Sequence, residues 1–262
     1  MGKIIAVANQ KGGVGKTTTS INLAASFVAT KRRILLIDID PQGNATMGSG
    51  IDKNDLEFTI NELFLGHKEF SQIKLTTSAG YDLLPSNGDL ITSEIKLLQV
   101  QNREARLREI LKPYVDQYEF IVIDCPPSIN VLTLNSLVAA NSLLIPMQCE
   151  YYALEGLSGL INTMEQVRDA YNPELHIEGI LRTMYDSRNR LSVEVSEQLL
   201  DHFGERVYRT VIPRNVRLAE APSFGMPALL YDKRSHGAVA YLALAGEVIR
   251  REAKRKQSIE QL

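Results

Sequence analysis

Short runs of consecutive apolar residues alternate along this chain with longer stretches in which apolar residues recur every three or four positions. The runs Ile4–Ala8, Ile34–Ile39, Tyr81–Leu84, Phe120–Ile123, Ser142–Met147 and His176–Thr183 are the strand candidates. Helical spacing covers Thr17–Ala29, Leu90–Leu111, Val131–Ala139, Leu154–Ala170, Ser192–His202 and Ala238–Arg255. This alternation predicts βαβ units and a mostly parallel sheet with helices on both faces. Ile34-Leu-Leu-Ile37 and Phe120-Ile-Val-Ile123 lack a polar alternation, as strands buried on both sides require. No repeat, low-complexity segment or linker interrupts the pattern. We therefore expect one doubly wound α/β domain over residues 1–262, with its ligand at the C-terminal ends of the strands.

Between the first strand and the first helix stands Lys11-Gly-Gly-Val-Gly-Lys-Thr-Thr18. Strand, glycine-rich loop and helix are the context a phosphate-binding loop needs. Gly12, Gly13 and Gly15 let the backbone fold around phosphates, and with Val14 and Thr18 they supply inward-pointing N–H groups. The helix N-terminus adds partial positive charge where the anion would sit. Lys16 is placed to reach the β- and γ-phosphates, and Thr17 to offer its hydroxyl to Mg²⁺. The pattern departs from G-x-x-x-x-G-K-[ST], because Gln10 occupies the first glycine position and a second lysine, Lys11, precedes the loop. Two neighbouring lysines need extra negative charge, so Lys11 requires a phosphate of its own or of a second subunit.

Two apolar strands end in acids. Asp38 and Asp40 close the second strand with one residue between them, so they share a face. A carboxylate there would orient Mg²⁺ waters or the attacking water. Asp124 closes Phe120-Ile-Val-Ile-Asp-Cys-Pro-Pro-Ser128 and would hold Mg²⁺ through a water. The stiff Pro-Pro-Ser turn suits a segment that senses the γ-phosphate.

Composition narrows the remaining choices. A net charge of −2 makes no global case for nucleic acid, so DNA binding would need a local patch. Arg182, Arg188, Arg190, Arg209, Arg214 and Arg217 form a candidate arginine-rich band in the C-terminal half, able to neutralise phosphates without reading bases. Two cysteines, Cys125 and Cys149, make no disulfide framework and predict a reducing, cytoplasmic setting. No signal peptide is expected ahead of the first strand, and no apolar run approaches the ~18 residues of a spanning helix.

These stretches resemble the ParA family of partitioning ATPases, in particular its short Soj-like chromosomal members. The resemblance extends through Asp38-Ile-Asp-Pro-Gln-Gly-Asn-Ala-Thr46, Pro146-Met-Gln-Cys-Glu-Tyr-Tyr-Ala-Leu-Glu-Gly156, Thr183-Met-Tyr-Asp-Ser-Arg188 and Ile212-Pro-Arg-Asn-Val-Arg-Leu-Ala-Glu-Ala-Pro222. It implies an ATPase using ATP and Mg²⁺, with Lys11 reaching across a nucleotide-sandwich homodimer to the partner's phosphates. Asp40 would position the hydrolytic water, and Pro213 and Asn215 would lie near the adenine. Arg188 and Arg217 match positions linked to nonspecific DNA binding by the ATP dimer. A ParB-type protein would stimulate hydrolysis, slow on its own, and the protein would associate with the nucleoid when ATP-bound. Larger plasmid relatives carry an N-terminal helix-turn-helix region; none is read here, so operator-specific repression is not expected.

Rival readings differ by class. A membrane-surface ATPase of the MinD type needs a bulky amphipathic C-terminal helix. Beyond Ile249 the tail offers only Ile259 and Leu262. An iron–sulfur relative would bridge a cluster through Cys125 and Cys149, yet neither cysteine has ligands at metal spacing, nor do the dispersed His67, His176, His202 and His236. A scaffold without useful hydrolysis sits poorly with Asp40, Asp124 and both lysines. Tyr151 and Tyr152 are read as packing residues. Arg250-Arg-Glu-Ala-Lys-Arg-Lys256 is read as the solvated end of a helix whose apolar stripe is Val239, Leu242, Ala245 and Ile249.

Overall fold

The computed structural model describes residues 2–260. In chain order the elements are β1 (Lys3–Val7), α1 (Lys16–Ala29), β2 (Ile34–Asp38), α2 (Asn44–Gly48), α3 (Ile60–Leu65), α4 (Phe70–Ile73), β3 (Leu75–Thr76), β4 (Asp82–Leu84), α5 (Leu90–Leu97) and α6 (Arg106–Leu111). There follow β5 (Phe120–Asp124), α7 (Val131–Ala139), β6 (Ser142–Gln148), α8 (Ala153–Ala170), β7 (His176–Tyr185), α9 (Arg190–Phe203), β8 (Val207–Pro213), α10 (Val216–Glu220), α11 (Ala228–Tyr231) and α12 (His236–Glu260).

The strands form one sheet in the order β3-β4-β2-β5-β1-β6-β7-β8, parallel except for the short β3 edge. Alternate residues of each central strand enter opposite cores. Ile4, Ala6, Leu35, Ile37, Ile121 and Ile123 face the side covered by α3 and α5–α9. Ile5, Val7, Ile34, Leu36, Phe120 and Val122 face the side covered by α1 and α12. Burial on both faces explains why these strands read as continuous apolar runs.

Three expectations need correction. The helix expected over Leu90–Leu111 is two helices, α5 and α6. Asn102 adopts a left-handed backbone between them (φ 55°), and the Arg103 guanidinium donates to the Leu98 carbonyl at 2.7 Å, closing the first helix. Two strands, β3 and β8, lie outside the predicted set. In β8, Val207, Tyr208 and Ile212 are buried, while the Arg209 and Thr210 amides each donate to the Glu247 carboxylate of α12 at 3.0 Å. Finally, the buried stripe of α12 is Ala238, Tyr241, Leu244, Ala245 and Val248, with Val239 exposed. The helix is thus rotated by about one position, or ~100°, from the expected stripe. Among the described residues no helix is long and apolar enough to cross a membrane. Leu262 and the side chain of Ile259 lie outside the described residues.

Candidate nucleotide site

The parallel register brings the acidic strand ends together. Asp124 pairs in register with Val7 on one side and with Asp38 on the other. The chain leaving Val7 therefore passes beside Asp124, with Asp38 one strand further on, before α1 begins at Lys16. Gly13 (φ 73°) and Gly15 (φ 86°) hold left-handed backbone that other residues rarely adopt. Asn9 stabilises the start of this loop by donating to the Pro146 carbonyl at 2.8 Å and accepting from the Lys11 amide at 3.0 Å. Thr183 of β7 donates to the Val14 carbonyl at 2.8 Å. The loop is thus held from both of its flanks.

Inside it, the Lys16 ammonium donates to the Lys11 carbonyl at 3.2 Å. Burial lowers the Lys16 pKa, opposed by the charges of Asp124 and Asp40. Asp124 is fully buried. It accepts from the Thr17 hydroxyl at 2.8 Å and the Ser20 hydroxyl at 2.7 Å. Burial first, and the Asp38 charge second, push its carboxyl up to about 8. Burial likewise raises Asp38 to about 6, against hydrogen bonds from Thr46 and Asp40 that favour its ionised form.

An open cleft of about 900 Å³ unites these features. Gly12, Gly13, Lys16, Thr17, Thr18 and Asp40 line one side, and Pro213 and Asn215 line the other. Asn215 is also the N-cap of α10, accepting from the Leu218 amide at 3.3 Å. Met184 lines the cleft in left-handed backbone (φ 49°), an uncommon conformation for methionine. Lys11 precedes the cleft-lining Gly12, its ammonium paired to Glu150 of the same chain. Hydroxyl and carboxylate oxygens are the hard donors Mg²⁺ takes, and they gather where buried negative charge is least compensated. The residues present therefore fit a magnesium ion bound with a polyphosphate.

Ser20, Thr183 and Asn9 contribute to the site without having been singled out. Ser20 lies one helical turn from Thr17, and Thr183 heads a motif quoted above without a role, so spacing alone pointed to the former. The basic residues divide. Arg188 and Arg217 are exposed and ion-paired, Arg188 with Asp186 at 2.9 Å and Arg217 with Glu220 at 2.7 Å. They follow β7 and β8 on the same end of the sheet as the cleft. Arg182 does not belong to a surface band: it is buried, donating to the Ser196 hydroxyl at 2.7 Å and the Tyr208 carbonyl at 2.9 Å. Tyr151 and Tyr152 are not packing residues either, being 75% and 70% exposed with their rings edge to face. Both cysteines are buried, and burial raises their thiols to about 12 at Cys125 and about 11 at Cys149.

Fold and loop together define a phosphate-loop NTPase of the deviant type. The AAA domain family matches residues 2–177. A Pseudomonas putida protein is 60% identical over 255 residues, 97% of each chain. The sporulation initiation inhibitor protein Soj of Bacillus subtilis is 52% identical over 249 residues, 95% of this chain and 98% of that one. The chromosome partitioning protein ParA of Myxococcus xanthus is 49% identical over 253 residues, 96% of this chain and 89% of that one. Among solved structures, a cobyrinic acid a,c-diamide synthase of Mycobacterium smegmatis with bound ADP and magnesium superposes with a TM-score of 0.85 at 37% identity, over 97% of this chain and 96% of that one. The chain belongs to the ParA/Soj-like branch of the MinD/ParA superfamily.

Proposed function

We propose that this protein is a chromosome-partitioning ATPase whose ATP-bound homodimer binds DNA nonspecifically and is released when a ParB-type partner stimulates hydrolysis. The observation that carries this reading is the single cleft joining the phosphate loop, Asp40 and the Pro213–Asn215 segment, in a chain whose identity to Soj and ParA exceeds its identity to the amide-forming synthase.

In this reading Gly12, Gly13, Val14, Gly15 and Thr18 cradle the phosphates through their amides, and Lys16 holds the β- and γ-phosphates. Thr17 and Asp40 would hold Mg²⁺, with Asp124, which keeps the Thr17 hydroxyl in place, behind them through a water. When bound, the ion would supply positive charge against the phosphates. Asp40 orients the attacking water. Lys11 exchanges Glu150 for the partner's phosphates, so dimerisation is tied to ATP. Arg188 and Arg217 exchange their neighbouring carboxylates for DNA phosphates. The γ-phosphate favours the dimer, and hydrolysis removes that preference.

The test is binding of Asp40→Ala protein to nonspecific duplex DNA across a salt series, with ATP and with ADP. ATP-only binding that weakens steeply with salt is expected. Absence of DNA binding in both states would move the function toward membrane or protein cargo, the MinD-type alternative. Within the same assay, Arg217→Glu should lose DNA while still binding ATP; unchanged DNA affinity would remove Arg217 from the interface.

A further inference from the structure

The segment after β2 that carries Asp40 has no regular structure until α2, yet its backbone is held from both ends. The Asp40 amide donates to Asp38 Oδ1 at 3.1 Å. Asp38 Oδ2 accepts from both the Thr46 amide and the Thr46 hydroxyl, each at 2.8 Å. That hydroxyl in turn accepts from the Ser86 amide at 2.9 Å. The Ser86 hydroxyl closes the ring by donating to the Asp40 carbonyl at 2.9 Å. Asp38, Thr46 and Ser86 are all fully buried. Ser86 can serve here because β4 runs beside β2, pairing Leu84 with Ile37 and delivering the residues after β4 next to those after β2.

A second observation points the same way. Gly43 turns the loop in left-handed backbone (φ 61°), with its amide on the Asp40 carbonyl at 2.9 Å. A Cβ added there would stand 2.6 Å from the Ser86 carbonyl oxygen and 2.9 Å from Lys53 Cδ, so the loop lies flush against the Ser86 segment. A buried carboxylate with three donors and a sterically closed turn fix both the N–H and the C=O of one residue. That residue is the one with its side chain in the cleft.

We propose that Thr46 and Ser86, anchored on the Asp38 carboxylate, are positioning residues that hold Asp40 against the phosphate loop for ATP hydrolysis. This rests on the reading in which Asp40 orients the attacking water. Displacing a catalytic group by about 1 Å costs on the order of 100-fold in rate, so a backbone brace is a kinetic device as well as a structural one. The brace does not touch the phosphate-binding residues, so its effect falls on turnover and not on nucleotide affinity.

The experiment is steady-state ATPase kinetics, ATP affinity and ATP-dependent DNA binding for Ser86→Ala, Thr46→Val and Thr46→Ser, with Asp40→Ala and the double variant Asp40→Ala/Ser86→Ala. Ser86→Ala is nearly isosteric, and Thr46→Ser keeps the bonding hydroxyl. We expect kcat to fall about tenfold in Ser86→Ala and Thr46→Val, as loss of one ordering hydrogen bond allows. ATP affinity and DNA binding should stay within about twofold, and Thr46→Ser should restore most of the rate. The double variant should be no slower than Asp40→Ala, because groups acting as a unit are non-additive. Unchanged kcat in Ser86→Ala, an equal loss of ATP affinity, or a further loss in the double variant would overturn the brace. Normal turnover by Asp40→Ala would overturn the underlying role of Asp40, and the brace with it.

Discussion

Lys3 and Lys16 are lysines of nearly equal burial, 6% and 7% exposed, at opposite ends of the same sheet. Lys3 opens β1 and pairs with Glu178 at 2.6 Å and with Glu252 of α12. Lys256 adds a second cation 3.7 Å from Glu252. Lys16, beyond the other end of β1, has a carbonyl oxygen as its hydrogen-bond partner; Asp124 and Asp40 act on it, and Asp38 crowds Asp124 from behind. The first cluster matches charge to charge within the fold. The second leaves a desolvated ammonium and excess negative charge around a cleft. Buried ionic groups that satisfy one another belong to the architecture, whereas those left short of partners mark where a ligand completes the structure.

Removing each ammonium separates the two clusters by the largest effect. Lys3→Met would strand the buried Glu178 carboxylate, while Glu252 keeps Lys256, and should lower stability by about 3–5 kcal/mol, the cost of leaving a buried charge unpaired. The folded fraction should bind ATP normally. Denaturant unfolding followed by a nucleotide titration separates the two quantities, and a loss below about 1 kcal/mol would show that solvent reaches Glu178 after all.

Lys16→Ala should do the reverse. Its ammonium gains little from the fold itself, since burial opposes its charge, so stability should change little. ATP affinity should fall by about 100-fold or more, as expected for a lost charge-assisted contact to phosphate. Isothermal titration checks this, and retained micromolar affinity would contradict the phosphate-loop assignment.

This contrast also explains what was legible from the sequence alone. The phosphate loop, the acidic strand ends and the six central strands announce themselves within short windows, because glycine conformation and two-sided burial act locally. The Pro213–Asn215 segment was reached only through a resemblance, since nothing in its local chemistry says which cleft it lines. Strand β8 hid because the amides of its polar Arg209 and Thr210 are satisfied by Glu247, 38 and 37 residues away. The Asp38–Thr46–Ser86 ring joins residues 40 apart through the β2–β4 register. Arg182 looked like its surface neighbours until the structure placed it beneath α9 against Ser196. In each case the missing information was a tertiary partner, which no periodicity encodes.

The two clusters should also answer to pH with opposite signs, and this is the mildest of the tests. Burial raises Asp124 to about 8, helped by the Asp38 charge, and Asp38 to about 6, helped by the Asp40 charge, in the folded state, against about 4 in the unfolded chain. Between those limits the folded state holds protons that the unfolded state has released, so stability falls as pH rises through that window. Burial opposes the charged form of Glu252, but the Lys3 hydrogen bond and the charges of Lys3, Lys256 and Arg255 outweigh it and hold its pKa below the ordinary value. Its contribution is present above the unfolded pKa and is lost as pH falls through the folded one. The nucleotide-free protein should therefore lose stability from about pH 5 to about pH 8, by roughly 1 kcal/mol per unit for a group inside its window, read as a falling melting temperature. Magnesium with nucleotide should flatten the decline, because it favours the ionised carboxylates. Asp124→Asn should flatten it without ligand, whereas Lys3→Met should leave the slope above pH 5 in place. A decline untouched by Asp124→Asn would mean that the excess charge at the cleft is relieved by solvent, and the distinction between the two ends of the sheet would then rest on nucleotide affinity alone.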